Sequence, residues 1–360
     1  MHNQDISRII VRAPNWIGDA VMCTPALQDL REFYPHATIT LWGRPAILEL
    51  LHKHPSIDQV LSYEYQGTHA GILGKLRLIQ LLRRSDFELA ILLQNAFEAA
   101  FLTFLAGIPN RWGYGTDGRS MFLSKAVSLS VPKRGEHQVQ YYQSLIHALT
   151  GKIHPRRLQL VVSPADELSV VARFPELITK PGGYLIGLNP GSVYGSSKRW
   201  LPDRFAELAD SVITKIRERV DSHSQVQCVV VGGAGEESLA HAIASLMRCK
   251  PVILTGRTTL RELMGIVQRC SLFLTNDTGP MHIAAALNVP MVAIFGSTDP
   301  HHTAPYGSEG TVVHHPVACA PCFLRSCPID HRCMTQVTVQ EAYDLAMQQF
   351  ERKMNDGSCS

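Results

Sequence analysis

The chain has 360 residues, 45% of them hydrophobic and 18% charged, a balance that supports large buried cores and excludes an intrinsically disordered protein. A formal net charge of +3 is too small to mark a nucleic-acid binder, so no nucleic-acid partner is expected, although it does not oppose contact with an anionic surface. No run approaches the ~18 uninterrupted apolar residues of a membrane span, and residues 1–5 lack the basic start and apolar core of a signal peptide, so a cytoplasmic protein is expected.

In chain order, apolar runs at 8–12, 38–42 and 88–93 read as strands. The first leads into Arg12-Ala13-Pro14-Asn15-Trp16-Ile17-Gly18-Asp19, with one glycine where a dinucleotide turn has Gly-x-Gly-x-x-Gly, which argues against nicotinamide or flavin chemistry. Asp19, just after Gly18, reads either as a helix N-cap or as a carboxylate placed to take a proton from a hydroxyl nucleophile. The basic, amphipathic segment 74–84 reads as a crossover helix packed on the core or as an interfacial helix. Val139, Tyr142, Leu145, Ile146 and Leu149 fall at helix spacing.

A polar, proline-containing stretch at 163–183 precedes a second series of strands at 184–188, 227–231, 252–255, 272–275 and 291–295. Strands that are apolar throughout and alternate with helices imply parallel sheets covered on both faces. The expected class is α/β, with Rossmann-like doubly wound domains at 1–175 and 176–335 and ligands in a cleft between them. The capping box Thr338–Glu341 opens a last helix through about Phe350, and the segment 336–360 is expected to pack back toward the first domain.

Three turns of the second series suit a sugar nucleotide. After 184–188, Asn189-Pro190-Gly191-Ser192 runs on to Lys198, Arg199 and Trp200, with Ser192 a hydrogen-bond donor and Lys198 a point charge for a diphosphate. After 227–231, a glycine-rich turn precedes Glu236 and Glu237, either of which could reach a ribose diol or merely favour a helix N-terminus. The third turn, Asn276-Asp277-Thr278-Gly279, passes at once into an alanine-rich helix with Pro280 near its start. Backbone amides there suit a phosphate, Thr278 adds a hydroxyl, and Asp277 is expected to serve a sugar hydroxyl. A capped helix with a tight turn is the plainer alternative. No Asp-x-Asp pair occurs, so chemistry without a metal or other cofactor is expected.

Cys23, Cys228, Cys249 and Cys270 read as small core residues. Cys319-x2-Cys322-x4-Cys327-x5-Cys333, with His331 inside it, has a spacing compatible with zinc or with a reduced loop clasp, and no metal site is assigned.

Taken together, the motifs 12–22, 105–114, 189–192 with 198–200, and 276–282, with the loop around Cys322, make the chain resemble the heptosyltransferase family of lipopolysaccharide synthesis, glycosyltransferase family 9. The resemblance covers nearly the whole chain and implies the GT-B arrangement of two Rossmann-like domains. It also implies transfer of L-glycero-D-manno-heptose from ADP-heptose to the first heptose of the lipopolysaccharide inner core (heptosyl-Kdo2-lipid A), peripherally at the inner membrane. By the same match Asp19 is the general base, Lys198 contacts the diphosphate, and Asp277, Thr278 and Gly279, with His282 in the same motif, bind the donor. Ser192 and Glu236 match more loosely as substrate-binding residues. The alternatives are a related GT-B transferase with another acceptor or nucleotide sugar, and a non-catalytic nucleotide-sugar binding protein.

Overall fold

A computed structural model describes residues 6–128, 136–177, 182–307 and 310–355; residues 1–5, 178–181 of the polar stretch and the tail 356–360 lie outside them. Two compact units divide between Val161 and Val162.

The first unit contains β1 (Arg8–Arg12), α1 (Ile17–Met22), α2 (Thr24–Phe33), β2 (Thr38–Gly43), α3 (Pro45–Leu51), β3 (Gln59–Ser62), α4 (Gly71–Arg84), β4 (Leu89–Leu92), α5 (Phe97–Leu105), β5 (Asn110–Tyr114), β6 (Lys125–Val127) and α6 (Gln138–Thr150). The second contains α7 (Pro164–Arg173), β7 (Tyr184–Asn189), α8 (Pro202–Arg219), β8 (Val226–Val230), α9 (Glu237–Leu246), β9 (Val252–Ile253), α10 (Leu260–Gln268), β10 (Leu272–Asn276), α11 (Gly279–Ala286), β11 (Met291–Phe295), α12 (Pro300–Thr303), β12 (Thr311–His314), α13 (Arg332–Thr335) and α14 (Val339–Asn355). Proline sits in the first turn of α2, α3, α7, α8, α11 and α12, where its fixed φ suits a helix start and its missing N–H costs nothing.

The sheets run in the orders β3-β2-β1-β4-β5-β6 and β12-β11-β10-β7-β8-β9, with every ladder parallel. Each is therefore a doubly wound Rossmann-like sheet, and two in tandem make the GT-B fold class. Strand order reverses between β1 and β4 in one unit and between β7 and β10 in the other, the places where such sheets bind ligands. Strands β4, β7, β10 and β11 are buried throughout, as their continuous apolar runs require.

Helix α7 falls in the second unit, where side chains tie it to α10: Arg261 Nε donates to Asp166 Oδ1 at 3.1 Å, and Arg173 Nη1 donates to Glu262 Oε2 at 2.7 Å. On the last helix, Ala342, Ala346, Met347 and Phe350 join the core of the second unit, where the Phe350 and Tyr184 rings lie 5.5 Å apart. Its capping box forms as expected, with Thr338 Oγ1 donating to Glu341 Oε2 at 2.7 Å. Cys249 is only partly buried, and its sulfur accepts from Arg217 Nη1 at 3.3 Å.

Burial alone would raise the pKa of the Asp166 carboxyl, but hydrogen bonds from Arg261 and Ser163 hold it well below the ordinary carboxylate value. A depressed folded pKa gives stability that is present above about pH 4 and lost as pH falls below it. Asp166→Asn is therefore expected to cost about 1–3 kcal/mol at neutral pH, with the gap to the parent closing on acidification. Urea unfolding at pH 7 and pH 3 checks this, and an equal gap at both would sink the linkage.

Candidate functional site

In the second unit, strands β7 and β10 deliver Asn189 and Asn276 side by side at their carboxyl ends. The Asn276 amide donates to the Pro190 carbonyl at 2.7 Å, and its Oδ1 accepts from the Trp200 N–H at 3.1 Å. Asn189 Oδ1 accepts from the hydroxyls of Thr278 at 2.8 Å and Thr275 at 3.2 Å. These buried amides lock the two turns together, so the residues just beyond each strand are held in fixed register.

Directly after β10, Asp277 is buried, and its Oδ2 accepts from Lys198 Nζ at 2.5 Å and from Thr298 Oγ1 at 2.6 Å. From sequence, Lys198 is a point charge for a diphosphate and Asp277 is left for a sugar; the fold joins them as an ion pair, with side chains 14% and 4% exposed. Amide supply is also narrower than a helix start suggests. Asp277 donates its N–H to Ile294, Met281 donates to Thr278, and Pro280 has none, which leaves Thr278 and Gly279 as the candidates. His282 is buried in the following turn of α11.

Next to this pair, Glu236 precedes α9 and is likewise buried. Its Oε2 accepts from the Gly233 N–H at 2.9 Å, and Arg199 Nη2 lies 3.5 Å from Oε1. Arg199 Nη2 also donates to the carbonyl of Ser192, a buried residue, at 3.2 Å. A Cβ at Gly191 would fall 2.2 Å from the Glu236 carboxylate, so any larger residue there would displace that carboxylate from its present partners. Glu237, the other candidate for a ribose, accepts instead from the Gly235 N–H at 2.8 Å. The basic pair Lys198 and Arg199 thus faces two carboxylates, and the cluster is electrically balanced rather than cationic.

The turn carrying Lys198 is held by the cysteine-rich loop. His331 Nε2 lies 2.9 Å from the Ser197 carbonyl, Ser197 donates its N–H to the Arg325 carbonyl at 3.1 Å, and Tyr194 donates its hydroxyl to the Phe323 carbonyl at 2.5 Å. A Cβ at Gly195 would sit 2.1 Å from the Arg325 oxygen, so only glycine permits this approach. Cys319, Cys322, Cys327 and Cys333 are free thiols. Among the described residues no group of three or more His, Cys, Asp or Glu side chains is placed to hold a metal ion.

The first unit places Asp19 at the third residue of α1, after an N-cap at Trp16. It is not the N-cap but an acid in the first turn, a position that also suits the positive end of the helix. Tyr142 of α6, buried, donates its hydroxyl to Asp19 Oδ1 at 3.0 Å. Burial and the neighbouring Asp19 carboxylate push the Tyr142 phenol well above its ordinary pKa, so it remains a donor. Arg119, fully buried, donates to the carbonyl of Tyr114 at 2.8 Å, to that of Gln94, and to Asn95 Oδ1 at 2.7 Å; Asn95 in turn donates to the hydroxyl of Tyr141. This chain ties the end of β4 to α6 beside Tyr142.

Arg12, at the end of β1, is also buried, its guanidinium 5.0 Å and 5.1 Å from the rings of Trp42 and Tyr63. Burial lowers its pKa to about 10, which leaves it charged at neutral pH. It donates to Asn15 Oδ1 at 3.0 Å and to the Ala13 carbonyl at 3.0 Å, and so shapes the loop that leads to Asp19. Sequence reasoning missed Tyr142, Arg119 and Thr298. For Tyr142 the only signal was its place on the buried face of an amphipathic helix, which packing alone explains.

The profile of glycosyltransferase family 9 (heptosyltransferase) matches residues 75–332, well over half of the chain. Lipooligosaccharide heptosyltransferase 2 of Campylobacter jejuni is 28% identical over 349 residues, spanning 94% of this chain and 97% of its own. Lipopolysaccharide heptosyltransferase 2 of Escherichia coli is 29% identical over 321 residues, covering 85% and 87%. The solved structure of E. coli ADP-heptose LPS heptosyltransferase II superposes with a TM-score of 0.79 at 25% identity, covering 96% of this chain and 99% of that one. With a family profile matched over most of both units, this chain belongs to glycosyltransferase family 9, the heptosyltransferase family.

Proposed function

We propose that the protein is an inverting transferase that moves L-glycero-D-manno-heptose from ADP-heptose to the first heptose of the lipopolysaccharide inner core, in heptosyl-Kdo2-lipid A. The observation that carries this reading is end-to-end similarity to heptosyltransferases 2 together with a carboxylate-and-lysine cluster at the strand-order reversal of the second unit. The Thr278 and Gly279 amides, Ser192 and Lys198 receive the diphosphate, while the Thr278 hydroxyl, donated to Asn189, holds the turn in place. Asp277 serves heptose hydroxyls and Glu236 the ribose diol, with His282 completing the donor site behind them.

In the reaction, Asp19 removes the proton from the acceptor hydroxyl as its oxygen attacks the anomeric carbon of heptose. The new C–O bond forms on the face opposite ADP while the bond to the β-phosphate oxygen breaks, and ADP leaves with the electron pair. Lys198 and the α11 amides balance the charge that develops on that oxygen. The acceptor is carried by a lipid, so the enzyme works peripherally at the cytoplasmic face of the inner membrane. No helix among the described residues is long and apolar enough to cross a membrane.

Purified protein given ADP-heptose with either unheptosylated or mono-heptosylated Kdo-lipid A tests the reading. Sugar should pass only to the mono-heptosylated acceptor, and release of ADP with neither would overturn it.

Tyr142→Phe is expected to lower kcat about tenfold and to move the acid limb of the rate profile to higher pH, because a donor to the charged carboxylate is lost. A pH–rate series checks it. An unshifted limb would leave Tyr142 a packing residue.

A further inference from the structure

The first unit carries an apolar face that its own core does not use. Helix α4 buries Gly74, Leu78, Ile79 and Leu82, but Ile72 is 80% exposed, Leu73 71% and Leu76 50%. Helix α5 runs alongside it, joined near one end by the Lys75–Glu98 ion pair and near the other by Arg83 Nη2 donating to the Leu105 carbonyl at 2.8 Å. It adds Phe97 and Phe104, each nearly half exposed, whose rings lie 5.2 Å and 5.4 Å from that of Phe122; Met121, next to Phe122, is 76% exposed.

Cations are interleaved with this apolar surface. Arg77, Arg83 and Arg84 are exposed on α4, and the Arg111 guanidinium lies 5.4 Å from the Phe104 ring. The two helices contain one acid, Glu98, and Lys75 neutralises it. An exposed apolar patch with a rim of one sign is a docking surface whose partner is apolar at its centre and anionic at its edge. A second copy fits poorly, since a two-fold contact would set one arginine-rimmed face against another, with Glu98 the single acid of the two helices and already paired to Lys75.

We infer that the exposed faces of α4 and α5 are the surface by which the protein lies on a lipid bilayer with anionic headgroups. Leu and Phe side chains enter the acyl boundary, and the arginines meet lipid phosphates. This rests on the proposed lipid-borne acceptor, and it assigns the docking to one face of the first unit.

The test is co-sedimentation of the purified full chain with vesicles of phosphatidylcholine alone or mixed with phosphatidylglycerol, alongside turnover on a water-soluble, lipid-free heptosyl-Kdo glycan. The parent protein should bind the mixed vesicles and be released by high salt. The triple variant I72S/L73S/L76S should lose about tenfold or more in partitioning, and R77Q/R84Q about fivefold or more. Both variants should keep the parent melting temperature and turnover on the soluble glycan.

Failure of the parent to sediment with mixed vesicles, or variants that bind as the parent does, would overturn the inference. So would a parent dimer that the triple variant converts to monomer with vesicle binding unchanged. Vesicle binding as expected, with no sugar transfer to any acceptor, would remove the proposed activity and leave the docking face standing; transfer without vesicle binding would do the reverse.

Discussion

Asp19→Asn is expected to lower kcat by about 10³-fold while leaving the affinity for ADP-heptose within about twofold. Asparagine keeps the shape of the side chain and still accepts the Tyr142 hydrogen bond, so α1 and α6 stay in place. What it loses is the ability to take a proton. The effect should therefore fall on turnover and not on binding, because the residues proposed to bind the donor all belong to the second unit. Single-turnover rates with calorimetric titration of the donor separate the two. Adding Tyr142→Phe to Asp19→Asn should cost almost nothing further, since the tyrosine acts through the carboxylate. A variant that turned over near the parent rate would show that the proton goes elsewhere.

The second large effect comes from the Lys198–Asp277 pair, and here stability and catalysis separate. Lys198→Met leaves a buried carboxylate with only the Thr298 hydroxyl of its two observed donors, which is expected to destabilise the second unit by about 3 kcal/mol. It also removes the cation proposed to balance the departing diphosphate, for a further expected loss of about 10²-fold in kcat. The double variant Lys198→Met/Asp277→Asn removes both charges together. It should recover most of the stability and none of the turnover, as denaturant melts and steady-state rates on the same preparations can show. Recovery of turnover would mean that the lysine serves only to neutralise Asp277.

How much of this was readable from residues alone depended on burial. Central strands such as β4, β7, β10 and β11 are covered on both faces, and their unbroken apolar runs announced them. β3, β6 and β12 are edge strands with largely exposed or half-buried residues, and β5 is a mixed Asn110-Arg111-Trp112-Gly113-Tyr114. None of these has the continuous signal, so all four were missed. β9 was expected at 252–255 but ends at Ile253, where the sheet edge offers one partner strand. The helix around Tyr142 was legible for the opposite reason, since Val139, Tyr142, Leu145, Ile146 and Leu149 are all buried at the spacing their sequence predicts.

By itself the sequence determined that two parallel, doubly wound sheets would form and which turns would stand at the ends of their strands, because strand and helix periodicity and turn chemistry are local properties. It also marked Asp19, Lys198, Glu236 and Asp277 as residues of chemical interest, through their places in those turns. Tertiary structure alone decided how they are joined: Asp277 with Lys198 and Thr298, Glu236 with Arg199 and Gly191, Asp19 with Tyr142. These partners lie 21 to 123 residues apart in the chain where hydrogen-bonded. No local pattern encodes such pairings; they arise only when the reversal of strand order brings separate turns to one sheet edge.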